Sequence, residues 1–507
     1  MASNINAQVA STSVASASVL NDSNILSAWK WEGNVYTGEW TKAGAGAYSV
    51  IEPATGDSLF EAGMANAQDV VDAAIRAKQV RKSWTNVSPR DKHAIFTKAA
   101  KFLEDNLEEV AELVFRETGG TRLKGTHEVR EGIQIFHIAA GMCLEPQGYV
   151  IPSNAGRQSY AKRVPLGVVG VISPFNFPLV LSLRAAAPAL AAGNTVILKP
   201  DAQTVFSGAI AAALALEAGG LPKGVLQIMP GGADVGAALC NAPEVDMIAF
   251  TGSTATGRKV AEAASKHLKK VSLELGGKSP LIILEDADID VAASNAAWGC
   301  FLHQGQICMA SGRIFVHENI SDAFTQKLVE HAERLTVGNP MVQDVHIGPI
   351  INAVQRDRVD SIVQDSIKAG AKLETGGTYE NLFYKPTVLS NVKPGMRSYH
   401  EEVFGPVANL IVFKSDEEVI QMANDTEYGL SAGIISKDIA RAQRIGEEIN
   451  SGALHINDQT INDDCVNPFG GCGVSGNGGN IGGPSNWESF SQLRWITVQG
   501  SAHPYPF

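Results

Sequence analysis

Val271-Ser272-Leu273-Glu274-Leu275-Gly276-Gly277-Lys278 opens the stretch around which the chain is organised, and Gln304-Gly305-Gln306-Ile307-Cys308-Met309-Ala310 follows it. The first segment predicts a short apolar strand that ends on a carboxylate and two glycines. The second places one cysteine in a turn, where the thiolate could add to a carbonyl carbon and leave again. Small polar neighbours allow backbone N–H groups to approach Cys308, and we expect them to lower its pKa. An inert buried cysteine is the alternative.

Short apolar strands alternate with helices on the amino-terminal side of this stretch. Strands are predicted at 168–172, 195–198, 225–229, 247–250 and 271–275, and helices at 179–192, 204–218 and 256–267. This alternation is typical of a doubly wound parallel sheet that is covered on both faces. Ligands bind such sheets beyond the carboxyl ends of the strands.

A second alternating set follows, from residue 281 to about residue 464. Strands at 281–284, 314–317 and 407–413, with helices at 289–301, 322–335 and 353–369, predict a second α/β domain. The glycine-rich tail at 469–484 cannot form the interior of a helix or strand, so we expect a loop over the site. Residues 488–498 are predicted to form a strand.

The residues before the first alternating set predict two hairpins with three helices between them. The first hairpin is expected at 50–60 and the helices at 67–84, 88–115 and 124–142. Gly119-Gly120 ends the second helix. Residues 146–163 place glycine and proline between β-prone residues, so they predict a projecting hairpin rather than part of a core.

Length and composition limit the classes of protein. A chain of 507 residues is too long for one core and predicts two or three domains. A net charge of −12 without a polybasic run argues against nucleic acid and anionic membranes as partners. No uncharged apolar run reaches about 18 residues, and residues 1–24 lack the basic segment of a secretory signal. The six cysteines have no CxxC or zinc-type spacing, which predicts no disulfide framework, no metal and a reducing cytoplasm.

The two motifs give the chain a resemblance to a known family. Glu274 within Leu-Glu-Leu-Gly-Gly-Lys, followed by the Gly-Gln-x-Cys that ends at Cys308, resembles the aldehyde dehydrogenase superfamily. The resemblance extends from about Val50 to the carboxyl terminus. Within the superfamily the chain is most similar to the benzaldehyde dehydrogenase branch, on Phe301-Leu302-His303-Gln304-Gly305-Gln306 and His455-Ile456-Asn457-Asp458-Gln459.

The resemblance implies an organisation for the whole chain. A doubly wound parallel sheet would bind the dinucleotide, a second α/β domain would carry catalysis, and a small β element would join subunits. The expected segments are a flexible arm at 1–24, a dinucleotide-binding domain at 25–142 and 162–276, a catalytic domain at 277–484, and an oligomerisation element at 143–161 and 485–507. A homodimer or homotetramer is therefore expected.

The resemblance also implies a covalent mechanism. Cys308 would add to the aldehyde, hydride would pass to NAD, and Glu274 would activate the water that hydrolyses the thioester. We expect burial to raise the pKa of Glu274 toward neutrality; a solvent-facing acid at a strand end is the alternative. Asn176, in the turn after the first strand, would stabilise the oxyanion together with the Cys308 N–H. The alternative for Asn176 is a hydrogen bond within its own turn.

Cofactor contacts are implied at several turns. Gly252 and Ser253 precede a helix, whose first N–H groups can bind phosphate, although a simple helix cap is the more common role of such a turn. Lys199 would hold the adenine ribose, unless it is an exposed lysine at a strand end. Glu402 and Phe404 would hold the nicotinamide half of the cofactor, and the remaining cofactor-binding candidates are Ile172, Ser173 and Pro174.

Phe177 and Phe469 predict an aromatic substrate, because they adjoin motifs that the family places around its substrate tunnel. Arg184 follows Phe177 by one or two helical turns and would favour polar or anionic ring substituents, with a surface position as the alternative.

Two positions depart from the common family pattern. His303 replaces an asparagine, which leaves a Cys–His hydrolase as a minor alternative. Ala202 replaces a glutamate that would accept the ribose hydroxyls and repel a 2′-phosphate, and no added arginine that favours the phosphate is evident. NAD is therefore expected as the main cofactor with some use of NADP. Transfer of the acyl group to coenzyme A is a competing hypothesis, as is a catalytically silent protein on the same fold.

Overall fold

The computed structural model describes residues 30–507, and the arm predicted at 1–24 lies outside them. The strands of the described residues are short, and most pair within two seven-stranded sheets. In chain order they are β1 (Asn34–Tyr36), β2 (Trp40–Lys42), β3 (Ala47–Ile51), β4 (Ser58–Gly63), β5 (Gly148–Val150), β6 (Arg157–Pro165), β7 (Val168–Ile172), β8 (Thr195–Lys199), β9 (Leu226–Ile228), β10 (Met247–Thr251), β11 (Lys270–Glu274), β12 (Pro280–Ile283), β13 (Arg313–His317), β14 (Lys372–Thr375), β15 (Tyr379–Glu380), β16 (Phe383–Tyr384), β17 (Thr387–Ser390), β18 (Val407–Phe413), β19 (Tyr428–Gly429), β20 (Ser431–Ile435), β21 (Ala453–Ile456), β22 (Cys472–Gly473) and β23 (Ser491–Gln499).

Helices connect most of these strands. In chain order they are α1 (Ala67–Thr85), α2 (Pro89–Asp105), α3 (Leu107–Thr118), α4 (Arg122–Met142), α5 (Pro178–Ala191), α6 (Ala211–Gly219), α7 (Ala233–Asn241), α8 (Thr254–Ser265), α9 (Ile289–Phe301), α10 (Ser321–Arg334), α11 (Ala353–Lys368), α12 (Arg397–His400), α13 (Asp416–Asn424), α14 (Ile439–Glu447) and α15 (Ser485–Phe490). None of the helices in residues 30–507 is long and apolar enough to cross a membrane.

The first large sheet has the strand order β11-β10-β7-β8-β9-β1-β2. Its first five strands are parallel, and β1 joins the edge antiparallel to β9. Successive residues of β7 alternate between two cores, with Val169 and Val171 in one and Val168 and Ile172 in the other. This alternation follows from the two-residue period of a strand, and it shows that helices cover both faces. The predicted doubly wound parallel sheet is therefore confirmed, while the β1–β2 hairpin at its edge was not predicted.

The second large sheet has the strand order β14-β17-β18-β13-β12-β20-β21 and is parallel apart from β14. It also separates two cores, with Leu281 and Ile283 on one face and Ile282 and Leu284 on the other. The second α/β unit is confirmed. Strands β14, β17, β20 and β21 were not predicted.

A third sheet consists of β5, β6 and β23. All nine residues of β6 pair antiparallel with β23, and β5 pairs with β6, which confirms the hairpin predicted at 146–163. The strand predicted at 488–498 is wrong at its start, because α15 occupies residues up to Phe490 and buries Trp487 and Phe490 in the first core. The segment boundaries and the oligomerisation role remain predictions, and β6 runs across the boundary expected at residue 162.

The single helix predicted at 88–115 is also wrong. The chain forms α2 and α3 there, with a break at Asn106, whose amide donates to the carbonyl of Phe102. Asparagine competes in this way with the regular helical hydrogen bonds, and such residues favour helix ends. Helix α3 ends at Gly119, as predicted, with a positive φ of 70°.

Candidate active site

Loops that follow β11 and α9 bring the two sequence motifs into contact. Glu274 is the last residue of β11, and the chain continues through Gly276 and Gly277. A Cβ atom added at Gly277 would lie 2.4 Å from the carbonyl oxygen of Cys308. Only glycine therefore allows the loop that follows Glu274 to approach the loop of Cys308 this closely.

The turn before Cys308 has an unusual backbone. His303 and Gln304 have positive φ angles of 48° and 57°, a conformation that costs a side-chain-bearing residue about 1–2 kcal/mol. The Gln304 amide donates to the carbonyl of Gly119 at 2.6 Å, and Gln306 Oε1 accepts the Ile351 N–H at 3.1 Å. Contacts with distant segments thus hold the turn that presents the thiol.

Cys308 is half-buried, and its environment disfavours the thiolate. Burial, followed by the negative charges of Glu402, Glu274 and Asp463, raises the pKa of Cys308 to about 12, whereas the Met309 N–H lowers it. The lowered pKa expected from the sequence is wrong, because burial outweighs the backbone donor.

Glu274 is buried, and neither of its carboxylate oxygens has a hydrogen-bond partner within residues 30–507. Burial raises its pKa well above the ordinary value, in the direction expected from the sequence, while Arg184 lowers it and Asp463 raises it further. The glycine-rich tail covers this strand end: Gly476 bridges to Glu274, and the Ser475 carbonyl accepts the Leu275 N–H at 2.8 Å. The strand-end acid is therefore not facing solvent.

Asn176 is buried in the loop between β7 and α5. Its amide nitrogen donates to the carbonyl of Gln306, two residues before Cys308, at 3.0 Å. This bond leaves the local turn and reaches the thiol-bearing loop. Because a side-chain amide has two N–H groups, the second can serve an oxyanion.

His303 does not form the base of a Cys–His pair. Its ring is buried and lies edge-on to Phe177, with 5.3 Å between ring centroids. Burial, assisted by the charge of Lys124, holds the pKa of His303 well below its usual range. The imidazole is therefore neutral, whereas a thiolate–imidazolium pair requires the charged form.

The cofactor candidates lie at the carboxyl ends of β7, β8 and β10. The Ser173 N–H donates to the Lys199 carbonyl at 3.1 Å, and Ile172 and Pro174 flank Ser173 in the same loop. Lys199 is mostly buried, which lowers its pKa, so the exposed alternative for Lys199 is wrong.

Gly252 and Ser253 connect β10 to α8. The Gly252 N–H donates to the Glu274 carbonyl at 3.0 Å, and the Ser253 hydroxyl accepts the Thr256 N–H at 3.3 Å as the cap of the helix. The capping role is thus present, and the N-terminus of α8 lies beside the strand that carries Glu274.

Glu402 reaches the same region from the other α/β unit. Its Oε1 accepts the Gly277 N–H at 3.2 Å, and burial raises its pKa to about 7. A Cβ atom at Gly276 would lie 2.4 Å from Glu402 Oε2, so this glycine is needed for the approach. Phe404 has a positive φ of 55° and stacks edge-on with Phe175 at 5.8 Å.

Phe177 and Phe469 lie near the thiol. Together with Cys308 they pack against one small cluster of buried side chains, Ile307, Met309 and Leu430. Arg184 has its guanidinium carbon 4.8 Å from the centre of the Phe469 ring, and only 5% of the arginine is exposed. The surface alternative for Arg184 is therefore wrong.

Ala202 lies three residues beyond Lys199 and lines a cavity of about 600 Å³. Gln203 and Arg356 line the same cavity. No arginine was expected near Ala202 from the sequence. The structure places Arg356 there because α11, which follows much later in the chain, lines the same cavity. Its guanidinium is paired with Asp357.

Two residues near the site were missed. Lys278 is fully buried with no hydrogen-bond partner for its ammonium within the described residues, and burial lowers its pKa to about 7. Asp463 lies within electrostatic reach of Cys308 and Glu274. Asp463 belongs to none of the motifs described above. Lys278 ends the Leu-Glu-Leu-Gly-Gly-Lys motif, but the motif by itself does not indicate that this lysine is buried.

A cysteine and a buried carboxylate lie beyond the carboxyl ends of a doubly wound parallel sheet, the place where such sheets bind dinucleotides. This arrangement is typical of an oxidoreductase that works through a covalent intermediate. The chain belongs to the aldehyde dehydrogenase family, whose family model matches residues 40–496. The resemblance inferred from the two motifs is confirmed.

Relatives and solved structures cover nearly the whole chain. It is 48% identical over 479 residues to the vanillin dehydrogenase of an Amycolatopsis species, with 94% of this chain and 99% of the relative covered. It is 45% identical over 478 residues to the NAD(+) benzaldehyde dehydrogenase of Pseudomonas putida, with 94% and 98% covered. The structure of a betaine aldehyde dehydrogenase from Staphylococcus aureus in complex with NAD+ has a TM-score of 0.92 and 30% identity, covering 96% of this chain and 98% of that one.

Proposed function

We propose that this protein oxidises aromatic aldehydes to carboxylic acids with NAD as the hydride acceptor. The observation that carries the proposal is the buried carboxylate of Glu274, which has no hydrogen-bond partner within the described residues and stands at the strand end whose following loop touches Cys308. A carboxylate with a raised pKa can take a proton from water near neutral pH. Hydrolysis of a cysteine thioester needs such a base, and this favours release of the acid over transfer to coenzyme A.

The residues of the site divide the work of the reaction. The Cys308 thiol loses its proton to solvent and its sulfur forms a bond to the aldehyde carbon as the carbonyl π bond opens, and the second N–H of the Asn176 amide stabilises the resulting oxyanion. Bound NAD supplies the acceptor for the hydride that leaves this carbon. Glu274 then takes a proton from the water that attacks the thioester, and Cys308 is released.

The residues present fit a dinucleotide. One oxygen of Glu402 is held by the Gly277 N–H, which leaves the other to accept a ribose hydroxyl. The N-terminus of α8, with Gly252 and Ser253, offers N–H groups to the pyrophosphate. The remaining contacts would come from Lys199, Phe404, Ile172, Ser173 and Pro174.

An aromatic substrate is supported by two features. Phe177 and Phe469 pack on the same cluster as Cys308, where ring burial and offset packing favour an aromatic ring. The names of the Amycolatopsis and Pseudomonas relatives, vanillin dehydrogenase and benzaldehyde dehydrogenase, point to the same substrate class.

The proposal includes a cytoplasmic homo-oligomer. All six cysteines are unpaired, as in proteins of reducing compartments. Exposed apolar side chains on the sheet of β5, β6 and β23, among them Val150 and Trp495, support an interface there.

Steady-state kinetics test the proposal. Formation of reduced cofactor is followed with benzaldehyde, cyclohexanecarboxaldehyde and acetaldehyde, each without coenzyme A. We expect kcat/KM to be highest for benzaldehyde, with the cyclohexane compound as the control for size. Equal values for the three aldehydes would contradict the aromatic assignment, and a requirement for coenzyme A would contradict hydrolysis.

A further inference from the structure

Arg184 and Asp463 form an ion pair in the wall of the aldehyde site that none of the steps above uses. The arginine side chain is 6% exposed and the aspartate 25%. Arg184 Nη1 bonds one carboxylate oxygen, and Nη2 donates to the other at 3.1 Å. Two parallel hydrogen bonds fix the plane and direction of the guanidinium as well as its position.

The pair also anchors the loop that carries Phe469. Arg184 Nη2 donates to the carbonyl oxygens of Asp464 and Asn467, each at 3.3 Å, and the guanidinium lies over the Phe469 ring. Arg184 stands on α5, which begins directly after Phe177. Helix α5 therefore sets the positions of both Phe177 and Phe469.

The two charges of the pair act on Glu274 in opposite ways, and that of Asp463 also acts on Cys308. Arg184 lowers the pKa of Glu274, and Asp463 raises it. Asp463 also raises the pKa of Cys308, together with Glu402 and Glu274. Since both members lie at the site, the guanidinium charge is largely cancelled there.

The third guanidinium nitrogen of Arg184, Nε, is not part of this network. Nε is buried and has no hydrogen-bond partner in the described residues. A ring carboxylate close to the pair would meet the negative charge of Asp463, whereas an uncharged substituent would not be repelled.

Building on the proposed function, we propose that Asp463 is a positioning residue that holds Arg184 over Phe469 and cancels its charge, so that the site selects uncharged aromatic aldehydes over anionic ones. This differs from the expectation that Arg184 by itself would favour anionic substituents. Replacing Asp463 with Asn removes the negative charge and leaves that of Arg184 in place. The pKa of Cys308 and of Glu274 should then both fall, and an anionic ring should gain affinity.

The first experiment needs neither aldehyde nor cofactor. Alkylation of Cys308 by uncharged iodoacetamide is followed against pH by peptide mass spectrometry in wild type, Asp463→Asn and Asp464→Asn. Asp464 loses the same charge but contacts Arg184 only through its carbonyl, so it is the matched control. We expect Cys308 in Asp463→Asn to be alkylated about three- to tenfold faster at a given pH, because its pKa should fall by about half to one unit. The Asp464→Asn control should be alkylated at the wild-type rate.

The second experiment compares kcat/KM for para-carboxybenzaldehyde and benzaldehyde in the same proteins. The ratio should rise about tenfold or more in Asp463→Asn, stay unchanged in Asp464→Asn, and return to the wild-type value in Asp463→Glu. Thermal unfolding and the Asp463→Glu variant separate this effect from a loss of folding. Equal behaviour of the two Asn variants in both experiments would overturn the proposal. Wild-type protein without activity toward any aldehyde would refute the proposed function alone, because the alkylation result stands independently.

Discussion

At the scale of single residues, burial has opposite consequences for the two reacting groups. It raises the pKa of Glu274, which makes the carboxylate a stronger base for a proton of water. It raises the pKa of Cys308 to about 12, which disfavours the thiolate. The same low-polarity environment therefore favours hydrolysis of the thioester and restrains the thiol before substrate binds.

Cys308→Ala should abolish aldehyde oxidation and leave NAD binding intact, because only the covalent step needs sulfur. Turnover is measured by formation of reduced cofactor, and NAD binding by titration calorimetry. Cys472→Ala serves as the control, since this cysteine is exposed and lies outside the site. More than a few per cent of wild-type turnover in Cys308→Ala would remove Cys308 from its role.

Glu274→Gln should allow one equivalent of reduced cofactor to form and then stall, because the thioester forms without the base and hydrolyses slowly. Rapid mixing of enzyme, NAD and benzaldehyde resolves the two phases. In wild type the rate of the hydrolytic phase should rise with pH as Glu274 loses its proton. The midpoint of this rise should lie above the ordinary pKa range of a glutamic acid, because the raised pKa of Glu274 keeps its carboxyl group protonated at lower pH. The Gln variant should lack this rise. Loss of the first turnover to the same extent as the steady state would show that Glu274 acts before hydrolysis.

At the scale of elements, the loops after parallel strands decide where each group points. The turn after β8 places Ala202 beside a cavity of about 600 Å³, which leaves room for a larger side chain. The family resemblance implies that a carboxylate at this position would accept the ribose hydroxyls and repel a 2′-phosphate, and this chain has a methyl group there. Arg356 lines the same cavity, so a phosphate would also find a positive charge there, although one already paired with Asp357.

Ala202→Glu should raise the preference for NAD over NADP, chiefly by weakening NADP about tenfold or more, because a like-charge contact costs more than a hydroxyl bond gains. Values of kcat/KM for both cofactors are compared with those of Ala202→Gln, which has the same size without the charge. An unchanged ratio in the Glu variant, or several-thousandfold discrimination against NADP in wild type, would show that this turn does not face the ribose.

At the scale of the whole molecule, the sheet of β5, β6 and β23 stands apart from the two large sheets. It exposes apolar side chains, including Trp495 at 69%. Apolar side chains exposed together on one small sheet are typical of a contact with another subunit. Its role as an oligomerisation element remains a prediction.

Trp495→Asp should shift the protein toward smaller assemblies, because a buried tryptophan at an interface often contributes about 2 kcal/mol or more. Size-exclusion chromatography with light scattering gives the mass at several concentrations. Trp298→Asp is the control, since Trp298 is 47% exposed on α9, away from this sheet. A monomeric wild-type protein, or an unchanged mass for Trp495→Asp, would contradict the assignment.

The sequence by itself determined the two alternating α/β units, the family, and the candidate thiol, carboxylate and amide. Hydrophobic periodicity and short motifs are local properties, and they remain visible without knowledge of the fold. The errors at 88–115 and 488–498 arose where local periodicity continued across a break at Asn106 and into α15, which packing against the core selects.

Only the tertiary structure decided the environment of these groups. Arg184 and Asp463 are 279 positions apart in the sequence, yet their pairing sets the charge beside Cys308 and Glu274. Arg356 and Ala202 are also far apart in the sequence, and the fold brings them to the same cavity. Burial and electrostatic interactions depend on distance in space, so neither the direction of the Cys308 pKa shift nor the partner of Arg184 can be derived from neighbouring residues in the chain.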